Sequence, residues 1–422
     1  MTTGNSGTAN SAGAGAGAGN GNGNGNPIVL AFSGGLDTSF CIPWLRETYG
    51  RPVVTVTVNT GGLDGEAATA LRERALTLGA IDHVLVEARE EFFDSVLKYL
   101  IMGNVRRGQL YPLCVGAERG VQAAHLARVA TGLGAASVAH GCTAAGNDQV
   151  RFEIILKALA PELEVLAPVR DHAWARAAQL AFLEERGMPT PQGGSAYSIN
   201  RGLWGVTIGG TETLDSEDSI PESAWVLSAG AFDAAPEPRE VELGFDRGVP
   251  TAIDGERLDV VTLIERLEAI GQAYAIGRGI HLGDTIIGTK GRVAFEAPAA
   301  EILIAAHREL EKLTLSATQA RVKEQLGQVY GDLIHEGRQL DPVCADIEAL
   351  FESSQSRVSG TVRCLLRPGS VFVLGTNSPH SLMAASRGKY GESAGEWTSA
   401  DALGFSRIAS LPGMLHTRAQ GD

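Results

Sequence analysis

Residues 33–39 read Ser-Gly-Gly-Leu-Asp-Thr-Ser, directly after the apolar run Ile28-Val29-Leu30-Ala31-Phe32 and before a helix-like stretch with Phe40, Cys41, Trp44 and Leu45. Two adjacent glycines, Gly34 and Gly35, let a backbone close on a ligand with its N–H groups turned inward. Ser33, Thr38 and Ser39 add hydroxyl donors, and a helix starting here presents its positive end. This is the make-up of a pyrophosphate cradle at the carboxyl end of a strand, where open α/β sheets bind ligands. No GxxxxGK[ST] is present, so no lysine is placed to follow a γ-phosphate through transfer. A loop that holds β and γ phosphates without that lysine suits cleavage between the α and β phosphates, with release of pyrophosphate. A Gly-rich turn with Asp37 as N-cap is the bland alternative, and the strand–SGGLDTS–helix setting argues against it.

A second polar segment runs Ala139-His140-Gly141-Cys142-Thr143-Ala144-Ala145-Gly146-Asn147-Asp148-Gln149-Val150-Arg151-Phe152-Glu153. It follows a strand-like stretch and is expected on the same sheet edge as the first loop. Gly141 and Gly146 are expected to let it bend, while Thr143, Asn147 and Asp148 crowd short polar groups at a helix start. Arg151 follows three residues into that helix, where a guanidinium can grip a carboxylate bidentately. The competing reading is structural: Asp148 caps the helix and Arg151 pairs with a surface acid.

The elements that must hold these loops are legible as alternation. Strand-like stretches at 28–32, 53–58, 83–86, 137–140 and 165–169 are separated by helix-like stretches at 66–78, 91–102, 118–131 and 148–159, and a last helix at 174–186 follows. Strands alternating with helices imply right-handed crossovers and a parallel sheet covered on both faces. The expectation is a doubly wound, five-stranded α/β domain over residues 27–188. Pro189-Thr190-Pro191-Gln192-Gly193-Gly194 marks a boundary loop. Beyond it, Val241, Leu243 and Phe245 alternate as a half-buried strand does, with a hairpin partner before Asp254-Gly255. Helical stretches at 260–273, 299–311 and 317–330 and a hairpin of 361–366 with 371–374 predict an α+β domain spanning 189–395. Residues 396–422 read as a weakly helical arm for oligomerisation.

Composition narrows the functions that remain. A chain of 422 residues accommodates two or three domains. Its 35 Lys and Arg against 49 Asp and Glu leave a net charge of −14, which argues against a nucleic-acid partner. None of the five cysteines is spaced as CxxC, so no thiol zinc cluster is expected and the compartment is expected to be reducing. The nine histidines show no HExxH or other metal spacing. No apolar run reaches about 18 residues, so no membrane span is expected. The 53 glycines are nearly twice the usual share of roughly 7%. Residues 1–26 hold nine of them and the first charge in the chain is Asp37, so this segment is expected to be a disordered Gly/Asn/Ala tail. It lacks the basic region of a secretory signal and the arginines of a transit peptide. Within it, Gly13-Ala14-Gly15-Ala16-Gly17-Ala18 imitates a dinucleotide fingerprint, but no strand precedes it and no helix follows.

Together these motifs identify a resemblance. SGGxDTS is the signature of the N-type ATP pyrophosphatases, and the chain from about Ile28 onward resembles the argininosuccinate synthase family. The segment Gly146-Asn147-Asp148-Gln149-Val150-Arg151-Phe152-Glu153 carries most of the specificity, with support from Tyr197-Ser198-Ile199-Asn200 and Leu203-Trp204-Gly205. The resemblance implies that a citrulline ureido oxygen attacks the α-phosphorus of ATP, that pyrophosphate leaves, and that the aspartate amine displaces AMP. By motif position, Ala31, Phe32, Ser33, Gly34, Gly35, Leu36, Asp37, Thr38 and Ser39 would hold ATP, with Val58 near the adenine and Gly141 against the nucleotide. Thr143, Asn147 and Asp148 would bind aspartate; Tyr111, Asn147, Arg151, Ser198 and Thr207 would bind citrulline. Magnesium would ride on the phosphates, with no metal site made of side chains. A cytoplasmic homotetramer of arginine synthesis is implied as well.

This chain departs from the family's pattern in four places. Ala144-Ala145 replaces Gly-Lys, and Val115-Gly116 replaces a Thr-Ser pair. Gly283 and Phe295 align with a glutamate and a tyrosine that bind citrulline, and His281 and Asp284 are candidates to replace them. Lys290 and Arg292 keep the family's basic residues, as ligand contacts or as a solvated face. A rebuilt citrulline pocket and a lost citrulline activity both fit these changes, and the intact ATP and aspartate loops favour the first. Rival readings are weaker. A tRNA thiolase needs a basic RNA face and paired cysteines, an amidotransferase needs a glutaminase module, and a nucleotide-sensing module has no use for the Asn147/Asp148/Arg151 cluster.

Overall fold

A computed structural model describes residues 25–190, 197–233, 236–386 and 396–421. The N-terminal tail up to residue 24 and the part of the Pro/Gly boundary loop at 191–194 lie outside the described residues.

Five parallel strands form the first sheet: β1 (Ile28–Ala31), β2 (Val53–Asn59), β3 (Asp82–Glu87), β4 (Ser137–Ala139) and β5 (Glu164–Leu166). Their order is β3-β2-β1-β4-β5, the doubly wound arrangement expected. Because β1 pairs with both β2 and β4, the chain reverses its direction of build beside β1. Crevices open at such switch points.

Period-two alternation explains how the sheet is covered. Ile28 and Leu30 of β1 point to one face, where Phe40, Leu45, Leu78 and Leu183 pack. Val29 points to the other, with Val56, Ala123, Leu126, Phe152 and Ile155 from the helices Arg119–Gly132 and Asp148–Leu159. The expected strand 165–169 stops at Leu166, because Pro168 opens a short helix, Pro168–Asp171. The expected helix at 91–102 begins at Arg89 and carries a π-helical turn over Phe93–Leu97.

The second half holds two antiparallel sheets. One is ordered β10-β9-β8-β13-β14, built from the two expected hairpins β8 (Arg239–Asp246) with β9 (Val249–Ile253) and β13 (Gly360–Arg367) with β14 (Ser370–Asn377), plus the short β10 (Glu256–Arg257). The other is ordered β11-β12-β7-β6 and contains β6 (Ser198–Gly202), β7 (Gly205–Gly209), β11 (Arg278–Asp284) and β12 (Lys290–Glu296). No local pattern in the sequence announces these four strands or the helix Pro342–Gln355. Four of the five residues of β6 are solvent-exposed, so no hydrophobic alternation marks it.

One large core joins the two halves. Phe92, Leu97 and Leu100 of the first half are buried with Trp204, Leu263, Leu303, Tyr330, Phe351 and Val362 of the second. Closer to the sheet edge, the Leu203 N–H donates to the Thr60 carbonyl at 3.0 Å. These contacts set the β6–β7 hairpin over the carboxyl ends of the parallel strands. The helices Ser399–Ala409 and Leu411–Gln420 end the chain with almost every residue exposed. No helix among the described residues is long and apolar enough to cross a membrane.

Candidate active site

A cavity of about 800 Å³ lies over the switch point, walled by the carboxyl ends of β1, β2 and β4 and roofed by the sheet containing β6, β7, β11 and β12. Its first wall is the glycine loop after β1. The Phe32 N–H donates to the Val56 carbonyl at 2.8 Å and the Thr57 hydroxyl to the Phe32 carbonyl at 2.6 Å, which anchors the loop's start. Gly34 has φ +76°, a region other residues enter only with strain. Gly35 caps the helix Leu36–Tyr49 without any side-chain bond, and Asp37 lies in its first turn rather than at the cap. The N–H groups of this first turn are therefore left to a ligand. Ser33 Oγ and Thr38 Oγ1 sit 3.3 Å apart at the mouth.

Gly141 joins the second loop to the first. A Cβ on it would lie 3.0 Å from Thr38 Cγ2 and 3.1 Å from the backbone at Asp37 and Thr38. Gly146 meets no comparable demand, since a Cβ there finds only ordinary contact with Thr143 at 3.5 Å. Neither glycine has a positive φ, so the bend itself needs no glycine at either position, and close approach requires one only at Gly141. Burial pushes the Cys142 thiol up to about 12, which keeps it protonated near neutral pH.

Beyond Gly141 the site is a chain of charges. Asp148 Oδ2 accepts from Arg119 Nε at 3.0 Å, and Asp148 Oδ1 from Arg151 Nη1 at 2.7 Å. Burial alone would raise this carboxyl, but Arg119 and then Arg151 outweigh it and hold it at about 2. Asp148 is thus not the helix cap, and Arg151 is no surface partner. Arg151 is 5% exposed and also donates from Nε to the His335 carbonyl at 2.7 Å, with Nη2 3.2 Å from His335 Nδ1. Asn147 ties the loop to the roof, accepting from the Ile286 N–H at 2.9 Å.

Arg119 continues the chain to Glu118 at 2.8 Å, and Glu118 accepts from the Thr60 hydroxyl at 2.8 Å. Burial pushes the Glu118 carboxyl up to about 7, against the pull of Arg119. An acid whose folded pKa exceeds its unfolded value keeps its proton longer in the folded state, so stability falls as pH rises from about 4.5 to 7. Glu118→Gln should flatten that part of the stability–pH curve, a difference of up to about 3 kcal/mol by pH 8. Denaturant unfolding at pH 5 and pH 8 measures it, and an unchanged slope would contradict this account.

The loop before Glu118 is strained into place. Val115 has φ +65° and ψ −51°, and the Gly116 N–H donates to the Cys114 carbonyl at 2.7 Å, closing a γ-turn. The Tyr111 hydroxyl donates to the same carbonyl. A β-branched residue in this region costs about 1–3 kcal/mol and persists only where its surroundings dictate it.

Most sequence-predicted residues meet in this cavity. Ala31, Phe32, Ser33, Gly35, Asp37, Thr38, Val58, Tyr111, Gly141, Thr143, Asn147, Asp148, Arg151, Ser198 and Thr207 line it, as do Val115, Gly116 and Gly283. Gly34, Leu36 and Ser39 do not; Leu36 and Ser39 are buried beneath the loop. Phe295 is buried behind Tyr111, 5.1 Å between ring centroids. Ala144 and Ala145 are exposed. Lys290 is 72% exposed on its side chain and pairs with Asp284, while Arg292 donates to the carbonyls of Glu212, Asp215 and Asp218. Sequence reasoning missed Thr60, Arg107, Glu118, Arg119, Gln122, Asn200 and His335 as cavity residues. Glu118, Arg119 and Gln122 share one helix start, while Thr60, Arg107, Asn200 and His335 come from separate elements, and folding alone brings the two sets together.

Residues 27–189 match the model of the arginosuccinate synthase N-terminal HUP domain, and residues 197–416 the model of its C-terminal domain. An argininosuccinate synthase of Symbiobacterium thermophilum is 38% identical over 93% of this chain and 98% of its own length. One from Xanthomonas campestris pv. campestris is 40% identical over the same shares, and one from Methanocaldococcus jannaschii 38% over 84% of this chain and 89% of its own. The chain belongs to the argininosuccinate synthase family.

Proposed function

We propose that the chain joins citrulline and aspartate at the expense of ATP, giving argininosuccinate, AMP and pyrophosphate in arginine synthesis. The juxtaposition of the two loops across the switch point, with Gly141 against Asp37 and Thr38, is the observation that carries this reading. In it, the segment Ala31–Ser39 receives the phosphates through backbone N–H groups and the hydroxyls of Ser33 and Thr38. Val58 lies toward the adenine, and Gly141 toward the nucleotide. Thr143, Asn147 and Asp148 receive aspartate, the Asp148 carboxylate facing its amine. Tyr111, Asn147, Arg151, Ser198 and Thr207 surround the citrulline.

In this reading the citrulline ureido oxygen attacks the α-phosphorus, pyrophosphate leaves, and the aspartate amine then displaces AMP. No covalent link to the protein is needed. Rate comes from holding the reactants in line and from donors aimed at charge developing around the α-phosphate. Magnesium enters with ATP, held by its phosphates. An acidic chain cannot draw in two anionic substrates by its overall field, so Arg119, Arg151 and the loop N–H groups act locally. The test is pyrophosphate release from ATP with citrulline and aspartate added singly and together. Release that ignores citrulline would sink the assignment.

The reading includes a cytoplasmic homotetramer. Leu403, Phe405, Ile408, Leu411 and Leu415 of the last two helices are between 46% and 73% exposed, an apolar surface of the kind that partner subunits cover. Truncation after residue 395 should lower the mass measured by light scattering to that of a smaller assembly. An unchanged tetramer would remove the arm from this role.

A further inference from the structure

The glycine loop is braced from behind by the helix Gly65–Thr77. Ala75 of this helix is buried with Phe40, Leu45 and Leu78, and Leu71 packs against the same cluster. Leu71 and Arg74 lie three residues apart on one helix face, and both reach the loop. A Cβ on Gly34 would lie 2.3 Å from Leu71 Cδ2, and Arg74 Nη1 donates to the Gly34 carbonyl at 3.2 Å. Arg74 is half-buried and forms no ion pair among the described residues. No other lysine or arginine side chain among them bonds to residues 33–39. The second loop brings no cation either, since its residues 144 and 145 are alanines.

The bond matters because of the peptide it holds. The Gly34 carbonyl also accepts from Ser39 Oγ at 3.5 Å, so Arg74 is the nearer of its two described side-chain donors. In a trans peptide the C=O and the N–H point in opposite directions. A Gly34 carbonyl turned to Arg74 and Ser39 therefore turns the Gly35 N–H away from them, toward the mouth of the loop. There its described contact is Ser33 Oγ at 3.5 Å, which is at the limit of a hydrogen bond and leaves the N–H ready for a better acceptor. Accordingly Gly35 lines the cavity and Gly34 does not.

We propose that Arg74 is a positioning residue of the phosphate site, which aims the Gly35 N–H at the pyrophosphate portion of ATP by holding the Gly34 carbonyl. This rests on the reading above that residues 31–39 receive the phosphates, and names what orients that loop. The guanidinium charge also polarises the peptide it holds, which strengthens the opposed N–H as a donor to an anion. An arginine in the last turn of a helix also counters the helix dipole. That effect alone would change the stability of the helix without choosing among ligands.

Calorimetric titration of the full-length protein with magnesium ATP, magnesium pyrophosphate and AMP tests the proposal. Arg74→Ala should weaken ATP and pyrophosphate binding about tenfold each. AMP, which lacks the pyrophosphate portion, should change by less than about twofold. Arg74→Lys should recover part of the loss, since the charge remains but the fork is gone. Arg74→Gln, a shorter neutral donor, carries the same comparison should the alanine protein not fold. Equal losses for ATP and AMP would reduce Arg74 to a packing residue, and unchanged ATP affinity would show that the loop is oriented without it; either overturns the proposal. The unaltered protein tests the parent reading separately. No binding of pyrophosphate would fail the phosphate loop itself, whereas pyrophosphate binding that ignores Arg74→Ala would fail the positioning role alone.

Discussion

Arg151→Ala is expected to lower kcat/KM for the acceptor by roughly 10²–10³-fold while ATP binding stays close to that of the unaltered protein. The reason lies in what surrounds the guanidinium. Arg151 is buried, and its nitrogens are distributed among Asp148, the His335 carbonyl and His335 Nδ1. Removing it leaves Asp148 with Arg119 as its remaining described cation and leaves a buried carbonyl without its donor. Breaking a buried pair from one side costs about 3–5 kcal/mol. The glycine loop stands on separate bonds to Val56 and Thr57, so nucleotide affinity should survive. Arg151→Lys keeps a charge but not the fork, and should recover only part of the activity. Steady-state kinetics with varied acceptor, beside ATP titration by calorimetry, measures both effects. An Arg151→Ala protein with unchanged acceptor kinetics would refute the role given to this residue.

Gly141→Val should be the most damaging change at the second loop, with turnover down by about 10³-fold and both ATP and aspartate affinities reduced. A Cβ alone would stand 3.0–3.1 Å from Asp37 and Thr38. The two further methyl carbons of valine would force the loops apart at the point where they must meet. Misplacement of reacting groups by about 1 Å costs around 10²-fold in rate, and here two substrates are displaced together. Gly146→Ala is the matched control, because its added carbon meets only ordinary contact, and it should retain activity within about threefold. Equal effects of the two substitutions would show that loop flexibility matters here and close approach does not.

Those two glycines mark the limit of what local pattern reveals. Both sit in one polar loop five residues apart, and both invite the same argument from backbone freedom. Contact with a helix start more than a hundred residues earlier separates them. The same limit applies to Asp148 and Arg151. Their spacing on one helix predicts a functional pair, and the structure places them together, but Arg119, His335 and Glu118 complete that network from other elements. Tyr111 shows a further side. Its ring lines the cavity, yet its hydroxyl donates to the Cys114 carbonyl inside a strained turn that no local pattern signals. The parallel domain was legible nearly strand by strand, because buried strands are continuous apolar runs and their covering helices repeat at 3.6 residues. The sheet that roofs the cavity was not, because β6 is largely exposed and β11 has glycine at two of its seven positions.

By itself the amino-acid sequence determined the nucleotide-binding fold, the two loops at its carboxyl edge and the class of reaction, since each depends on local pattern: apolar periodicity, paired glycines and short polar runs. Tertiary structure decided which charges share the cavity. It matched Asp148 with two arginines, raised Glu118 by burial, and set Arg107 and His281 against Gly283. The strengths of those interactions depend on distance and dehydration between residues remote in the chain, and only folding sets either one.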